Sequence, residues 1–233
     1  MCTFVTKHFF KIMTTLFRKC KQIKLTASKV AEVGVYKPET SNIIDFIEQG
    51  VEAILVEPDP LSIKKIEERF AGYKNIALHK VAVFDYCGEV ELSQRAASTF
   101  ISSLPNAPAI TNDKYTVKDE DKFTVSCVSF DKIDDGQIDL LSVDIEGAEW
   151  YVLKFLKSTP KVISIETHGK YYKNPYLKEI EQWMLNKNYT LWFKDMSDSI
   201  FIRKDVYLPS LKEKIALQVK NMQLCLKRFK RFF

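Results

Sequence analysis

The chain has 233 residues, 46% of them hydrophobic and 28% charged, enough apolar material for a full core and far from a disordered composition. No apolar run approaches the roughly 18 residues of a transmembrane helix. The opening MCTFVTKHFFKIMTTLF is broken by Lys7 and Lys11 and lacks a small-residue cleavage site, so a cytoplasmic protein is expected. Five cysteines (Cys2, Cys20, Cys87, Cys127, Cys225) form no C-x-x-C pair, which argues against a disulfide framework and a zinc knuckle. The net charge of +5 is unevenly placed: residues 1–28 carry +6, residues 208–233 carry +6, and 29–207 carry −7. An acidic globule between two basic ends follows, and the chain divides at those boundaries.

From Lys29 onward, short β-rich runs alternate with helical patterns, as in a parallel sheet built from βαβ units. KVAEVG (29–34) reads as a strand. Glu39 to Gln49 carries a helical face of Ile43, Ile44 and Ile47, closed by Gly50. VEAILVE (51–57) is a second strand, and Asp59-Pro60 caps a helix with Ile63, Ile66 and Phe70 inside. NIALHKVAVFD (75–85) reads as a third strand, and Gly88 to Ser93 as a short hairpin arm. Residues 95–120 are the least regular, and a loop of that length is usually functional or mobile; Ser98-Thr99-Phe100 within it reads equally as an acceptor-site lid or as polar surface. QIDLLSVDIE (137–146) is a buried strand followed by a helix through Trp150, Leu153 and Leu156. KVISIETH (161–168) is the next strand, Asn174-Pro175 repeats the cap-then-proline device ahead of Leu177, Ile180 and Trp183, and YTLWFKD and SIFIRKD form a hairpin about Met196-Ser197-Asp198.

This order predicts an α/β fold, a doubly wound Rossmann-like methyltransferase sheet that is mostly parallel with a terminal antiparallel hairpin, plus basic terminal helices. Ligands of such sheets bind beyond the carboxyl ends of the strands. Those ends hold Glu32 and Gly34, Glu57, Asp85, Asp144 with Glu146, and Glu166 with His168. The G-x-G-x-x-G fingerprint is absent after Gly34, which demotes a nicotinamide dehydrogenase. Glu32-x-Gly34 suits a cationic ligand such as the ammonium of S-adenosylmethionine, although a plain strand-to-helix turn also accounts for it. Glu57, 25 residues on, is placed to accept hydrogen bonds from ribose hydroxyls. In DLLSVDIEGAEW, alternation aims Asp144 and Glu146 to one side and Gly147 permits a sharp turn; Glu149 is partly explained as an acid in a helix's first turn. Carboxylates this close are costly to bury unless they meet donors, a cation or a substrate.

The segments VAEVG, ILVEPDP, LHKVAVFD, DLLSVDIEGAEWYVLK and VISIETHG, spread over 29–205, resemble the FkbM-type S-adenosylmethionine-dependent methyltransferases. The resemblance implies the methionine end at Glu32 and Gly34, the ribose at Glu57, and the adenine beside Ala82, Val83 and Asp85. It maps the family's D-x-E-G-x-E box onto Asp144, Glu146, Gly147 and Glu149. One departure stands out: the usual second glycine of the first loop is replaced around Lys37-Pro38. Family members commonly methylate hydroxyls, often on sugars, so O-methylation of a glycan or other small-molecule acceptor is expected. His168 or Asp144 would then be the base, with Glu146 and Glu166 orienting the acceptor or the histidine. Asp144, Glu146, Glu166 and His168 would also suit a divalent ion, but spacing alone fixes no coordination geometry and no metal is assigned.

Alternatives are a non-catalytic nucleotide-binding or scaffold module and an RNA methyltransferase; nucleic acid is disfavoured because the central domain is acidic. The C-terminal segment repeats Leu208, Leu211, Ile215, Val219, Met222, Leu226, Phe229 and Phe233 at spacings of 3 and 4, and the N-terminal one carries Phe9, Phe10, Met13, Leu16 and Phe17. These helices would pack on each other, on a second copy as a homodimer, or on an anionic membrane surface.

Overall fold

The structure, a computed structural model, describes residues 13–95, 98–104, 107–169 and 172–229. Phe9, Phe10 and Phe233 lie outside that range. The chain begins with α1 (Thr15–Gln22), β1 (Lys29–Val33), α2 (Ile44–Glu48), β2 (Glu52–Val56), α3 (Pro60–Arg69) and β3 (Ile76–His79). Next come β4 (Ala82–Val83), β5 (Gly88–Arg95), β6 (Ser98–Ile101), α4 (Pro108–Asp113) and β7 (Lys122–Val128). The last part holds β8 (Leu140–Val143), α5 (Glu149–Lys154), β9 (Val162–Glu166), α6 (Leu177–Asn186), β10 (Tyr189–Asp195), β11 (Asp198–Arg203) and α7 (Leu211–Phe229).

The expected sheet forms, in the order β10-β11-β9-β8-β1-β2-β3, parallel except for β11, which pairs antiparallel with both β9 and β10. Strand order reverses about β1, which puts the topological switch point there. Alternation along the strands splits the core. Val30, Leu55, Leu140 and Val162 face α1, α2 and α3, whereas Ala31, Val56, Leu141 and Ile163 face α5 and α6. Burial on both faces is why these strands read as continuous apolar runs. Asp59 caps α3 as expected, accepting from Leu61 N and Ser62 N.

Several boundaries differ from the sequence expectation. Residues 75–85 are not one strand: β3 belongs to the large sheet, and β4 pairs with β7 in a second sheet of order β4-β7-β5-β6. The stretch 95–120 contains β6, paired antiparallel with β5, and α4. The expected helix from Glu39 is a 3₁₀ turn over Pro38–Thr40 and then a short α2, because Ser41 and Asn42 are drawn to Glu32 between them. Asn174 Oδ1 accepts from Tyr176 N at 2.9 Å beyond Pro175, but α6 itself starts only behind Tyr176, which gives it no side-chain cap.

At the C-terminus, Ser210 and Glu213 form a capping box, with Ser210 N donating to Glu213 Oε2 at 2.9 Å and Glu213 N to Ser210 Oγ at 3.3 Å. Glu213 also accepts from Trp192 Nε1 at 2.8 Å, Tyr207 hydroxyl at 2.7 Å and Lys19 Nζ at 3.2 Å. These contacts fix the first turn of α7 to β10 and bring α1 alongside it.

Candidate active site

The carboxyl end of β1 is held by its neighbours. Gly34 has φ +85°, and a Cβ there would lie 1.8 Å from the Asp144 carbonyl oxygen. The glycine is therefore needed for the approach of two strand ends, not primarily for access of a ligand. Tyr36 follows with φ +51°, a left-handed conformation rare for a bulky residue. It is stabilised by Glu57, whose Oε2 accepts from Val35 N at 3.0 Å and Tyr36 N at 2.8 Å, and whose Oε1 accepts from Asp59 N at 3.0 Å. Burial pushes the Glu57 carboxyl up while these three N–H groups pull it down. A carboxylate offers about four lone-pair sites, so one position on Oε1 remains for a ligand hydroxyl.

Below this loop runs a buried polar row. Glu32, Ser142 and Ser164 stand in register across β1, β8 and β9. Asn42 ties the row together: its N–H donates to Glu32 Oε1 at 2.9 Å, and its amide donates to Ser142 Oγ and to Asp198 Oδ2, both at 3.1 Å. Ser41 hydroxyl donates to Glu32 Oε2, and Ser164 hydroxyl donates to Asp198 at 2.9 Å. Burial pushes Glu32 up to about 7 and Asp198 up to about 6, against these hydrogen bonds. Asp198 looked like a turn residue in sequence. It is the buried first residue of β11, and only the antiparallel pairing with β9 brings it here.

The turn after β8 is built on Glu149. Its Oε1 accepts from Ile145 N at 2.9 Å and Gly147 N at 3.0 Å, and its Oε2 from Asn174 Nδ2 at 2.5 Å. Those bonds hold Glu146 at φ +56° and Gly147 at φ +108°. Glu149 is fully buried, so its role exceeds the helix-dipole reading. Asn174 also donates to the Glu166 carbonyl at 3.1 Å. Oxygens of Asp144, Glu149 and Glu166 lie within 4.8 Å of one another. Burial, and then the neighbouring carboxylates, push Asp144 and Glu166 well above the usual range. Among the described residues, Glu166 Oε2 is buried without a hydrogen-bond partner.

A cavity opens at the carboxyl edge of the sheet. The large sheet gives it Glu32, Gly34, Glu57, Asp144 and Glu146, and the small sheet adds Ala82, Val83, Leu92, Thr99, Phe100 and Ile101. The expected set thus converges, with three exceptions. Asp85 is not in the lining; it pairs with Lys154 at 2.5 Å on the surface, because β4 has already turned into the second sheet. Glu166 and His168 are not in the lining either. Glu166 stands behind Asp144, and His168 is 2% exposed with Nδ1 at 3.0 Å from Thr167 Oγ1. Thr99 and Phe100 do reach the cavity, carried by a strand instead of a loop.

A family model described as the methyltransferase FkbM domain matches residues 32–191. The chain belongs to this family. The solved structure of methyltransferase FkbM from Methylobacillus flagellatus KT superposes with a TM-score of 0.51 at 15% identity, covering 76% of this chain and 43% of that one. This FkbM-family chain therefore spans less than half the length of that relative. A ribosomal protein L11 methylase from Lactobacillus delbrueckii subsp. bulgaricus gives a TM-score of 0.43 at 14% identity, over 80% of this chain and 74% of that one. No curated protein matches. The cofactor of this FkbM domain is S-adenosylmethionine. The cavity fits it: acids line one side and apolar groups the other, as a ligand joining a sulfonium and an ammonium to an aromatic base requires.

Proposed function

We propose that this chain is an S-adenosylmethionine-dependent methyltransferase that methylates a hydroxyl of a sugar or another small-molecule acceptor. The observation that carries the reading is the convergence of Glu32, Glu57, Asp144 and Glu146 on one cavity whose far wall is apolar. In this reading Glu32 and the Gly34 turn hold the methionine end, Glu57 gives its remaining acceptor position to a ribose hydroxyl, and Ala82 and Val83 flank the adenine. When bound, the cofactor supplies an electrophilic methyl group. The chain must then orient the acceptor oxygen in line and take its proton. Asp144 is the base: it lines the cavity, and burial makes its carboxylate more basic than usual. Glu146 holds the acceptor, and Glu166 sets the charge on Asp144 from behind. His168 takes no part in the proton transfer, because its ring is buried away from the cavity.

The test is transfer of a labelled methyl group to a panel of glycosides, together with thermal stabilisation by S-adenosylhomocysteine. Asp144→Asn should retain stabilisation and lose transfer, while His168→Gln keeps transfer. Undiminished transfer by Asp144→Asn sinks the assignment of the base. Absence of any stabilisation of the unaltered chain would leave a non-catalytic module.

A further inference from the structure

The 19-residue α7 presents opposite faces of unusual character. At 100° per residue, Glu213, Leu217, Lys220, Asn221 and Leu224 share one side, and these are its partly buried positions. Leu211, Ile215, Val219, Met222 and Leu226 line the other, and they are 46–75% exposed. This is an amphipathic helix with its apolar stripe turned to solvent, the reverse of a surface helix packed on a core. The stripe runs about 22 Å, and no helix among the described residues is long and apolar enough to cross a membrane.

Charge selects what covers it. Lys212 borders one edge of the stripe and Lys214 flanks the other, with Lys227 further round beside Lys220, while the helix's only acid, Glu213, is spent on Trp192, Tyr207 and Ser210. The Lys19–Glu213 contact sets the basic α1 alongside, with Arg18, Lys21 and Lys24 in or near it. A second copy seated on the stripe by two-fold symmetry would set these lysines against themselves. Five such side chains offer roughly 500 Å² per copy, against about 800 Å² per partner in a stable interface. A partner that is anionic and apolar within a few ångströms answers both features.

We propose that the outward face of α7 docks on an anionic lipid bilayer, with the Leu211–Leu226 stripe at the acyl boundary and the flanking lysines at the headgroups. The inference is independent of the catalytic reading.

The full chain is to be floated with vesicles of phosphatidylcholine alone and with about 30% phosphatidylserine added. We expect at least about tenfold stronger partition onto the anionic vesicles, weakened by salt. Ile215→Glu with Met222→Glu should lower it about tenfold or more with no change in melting temperature, since both side chains are exposed. Lys212→Gln with Lys214→Gln should erase the preference for phosphatidylserine. No partition onto anionic vesicles, or undiminished partition of the Ile215→Glu, Met222→Glu chain, overturns the proposal. So does a dimer in solution that this variant dissociates, which would make a second copy the occupant.

Discussion

Replacing Glu32 by glutamine should stabilise the ligand-free protein in alkaline solution and leave it nearly unchanged in acid. Glu32 is 3% exposed, and burial raises its carboxyl from the ordinary 4.5 to about 7. Because the folded chain binds the proton more tightly than the unfolded one, stability is greatest below the ordinary value and falls as pH rises to about 7. At 1.36 kcal/mol per unit, the loss is about 3 kcal/mol by pH 7 and constant above it. Glutamine carries no charge at either extreme. Its carbonyl can still accept from Asn42 N, and its amide can donate to the Ser41 hydroxyl, which now accepts. Any cost of that reversal is the same at both pH values, so the difference in ΔΔG between about pH 9 and about pH 4 isolates the charge, at about 3 kcal/mol. Urea denaturation of both proteins at the two pH values measures it. A variant whose stability relative to the parent is independent of pH would show that Glu32 is not held above its ordinary range. The same variant should bind S-adenosylmethionine more weakly if the carboxylate faces the ammonium.

Other perturbations follow from the same contacts. Gly34→Ala puts a methyl onto the Asp144 carbonyl and a side chain at φ +85°, so a loss of about 3 kcal/mol or more, or failure to fold, is expected in thermal melts; a melt like the parent's would refute the close approach. Asn174→Ala removes the donor to Glu149 Oε2 and should cost about 1–3 kcal/mol in urea unfolding; unchanged stability would mean that water or another donor replaces it. Chelation should leave methyl transfer intact, since Glu149 spends three of its about four acceptor positions on N–H donors and offers a cation beside Asp144 and Glu166 a single lone pair in place of a bidentate grip. Activity lost to a chelator and restored by Mg²⁺ or Mn²⁺ would contradict that.

Much of the architecture was legible because the large sheet is buried on both faces and its strands announce themselves as apolar runs ended by Gly or an acid. Glu32, Glu57, Asp144 and Glu146 could be placed together from strand ends alone. What escaped depends on pairing between distant segments. Asp198 looked like the third residue of a turn until its register with Glu166 became visible. Asn174, next to a proline, has the local form of a helix cap and its oxygen does accept from Tyr176 N, yet its amide also serves Glu149, 25 residues earlier. Residues 75–85 read as one strand because β-propensity does not reveal a change of sheet. Asp85 followed that error out of the cavity. The hydrophobic pattern of the C-terminal helix was plain, but which way it faced was not, since periodicity defines a face without saying what lies opposite.

The small sheet has a consequence for how such a protein diversifies. No strand pairing joins it to the large sheet among the described residues, yet its β5–β6 arm contributes Leu92, Thr99, Phe100 and Ile101 to the cavity. One wall is thus hung on a separate scaffold from the acids opposite. Grafting that arm from another member of the lineage could change which molecules are admitted while leaving the donor's grip untouched, so new selectivity can arise by exchange of a single hairpin.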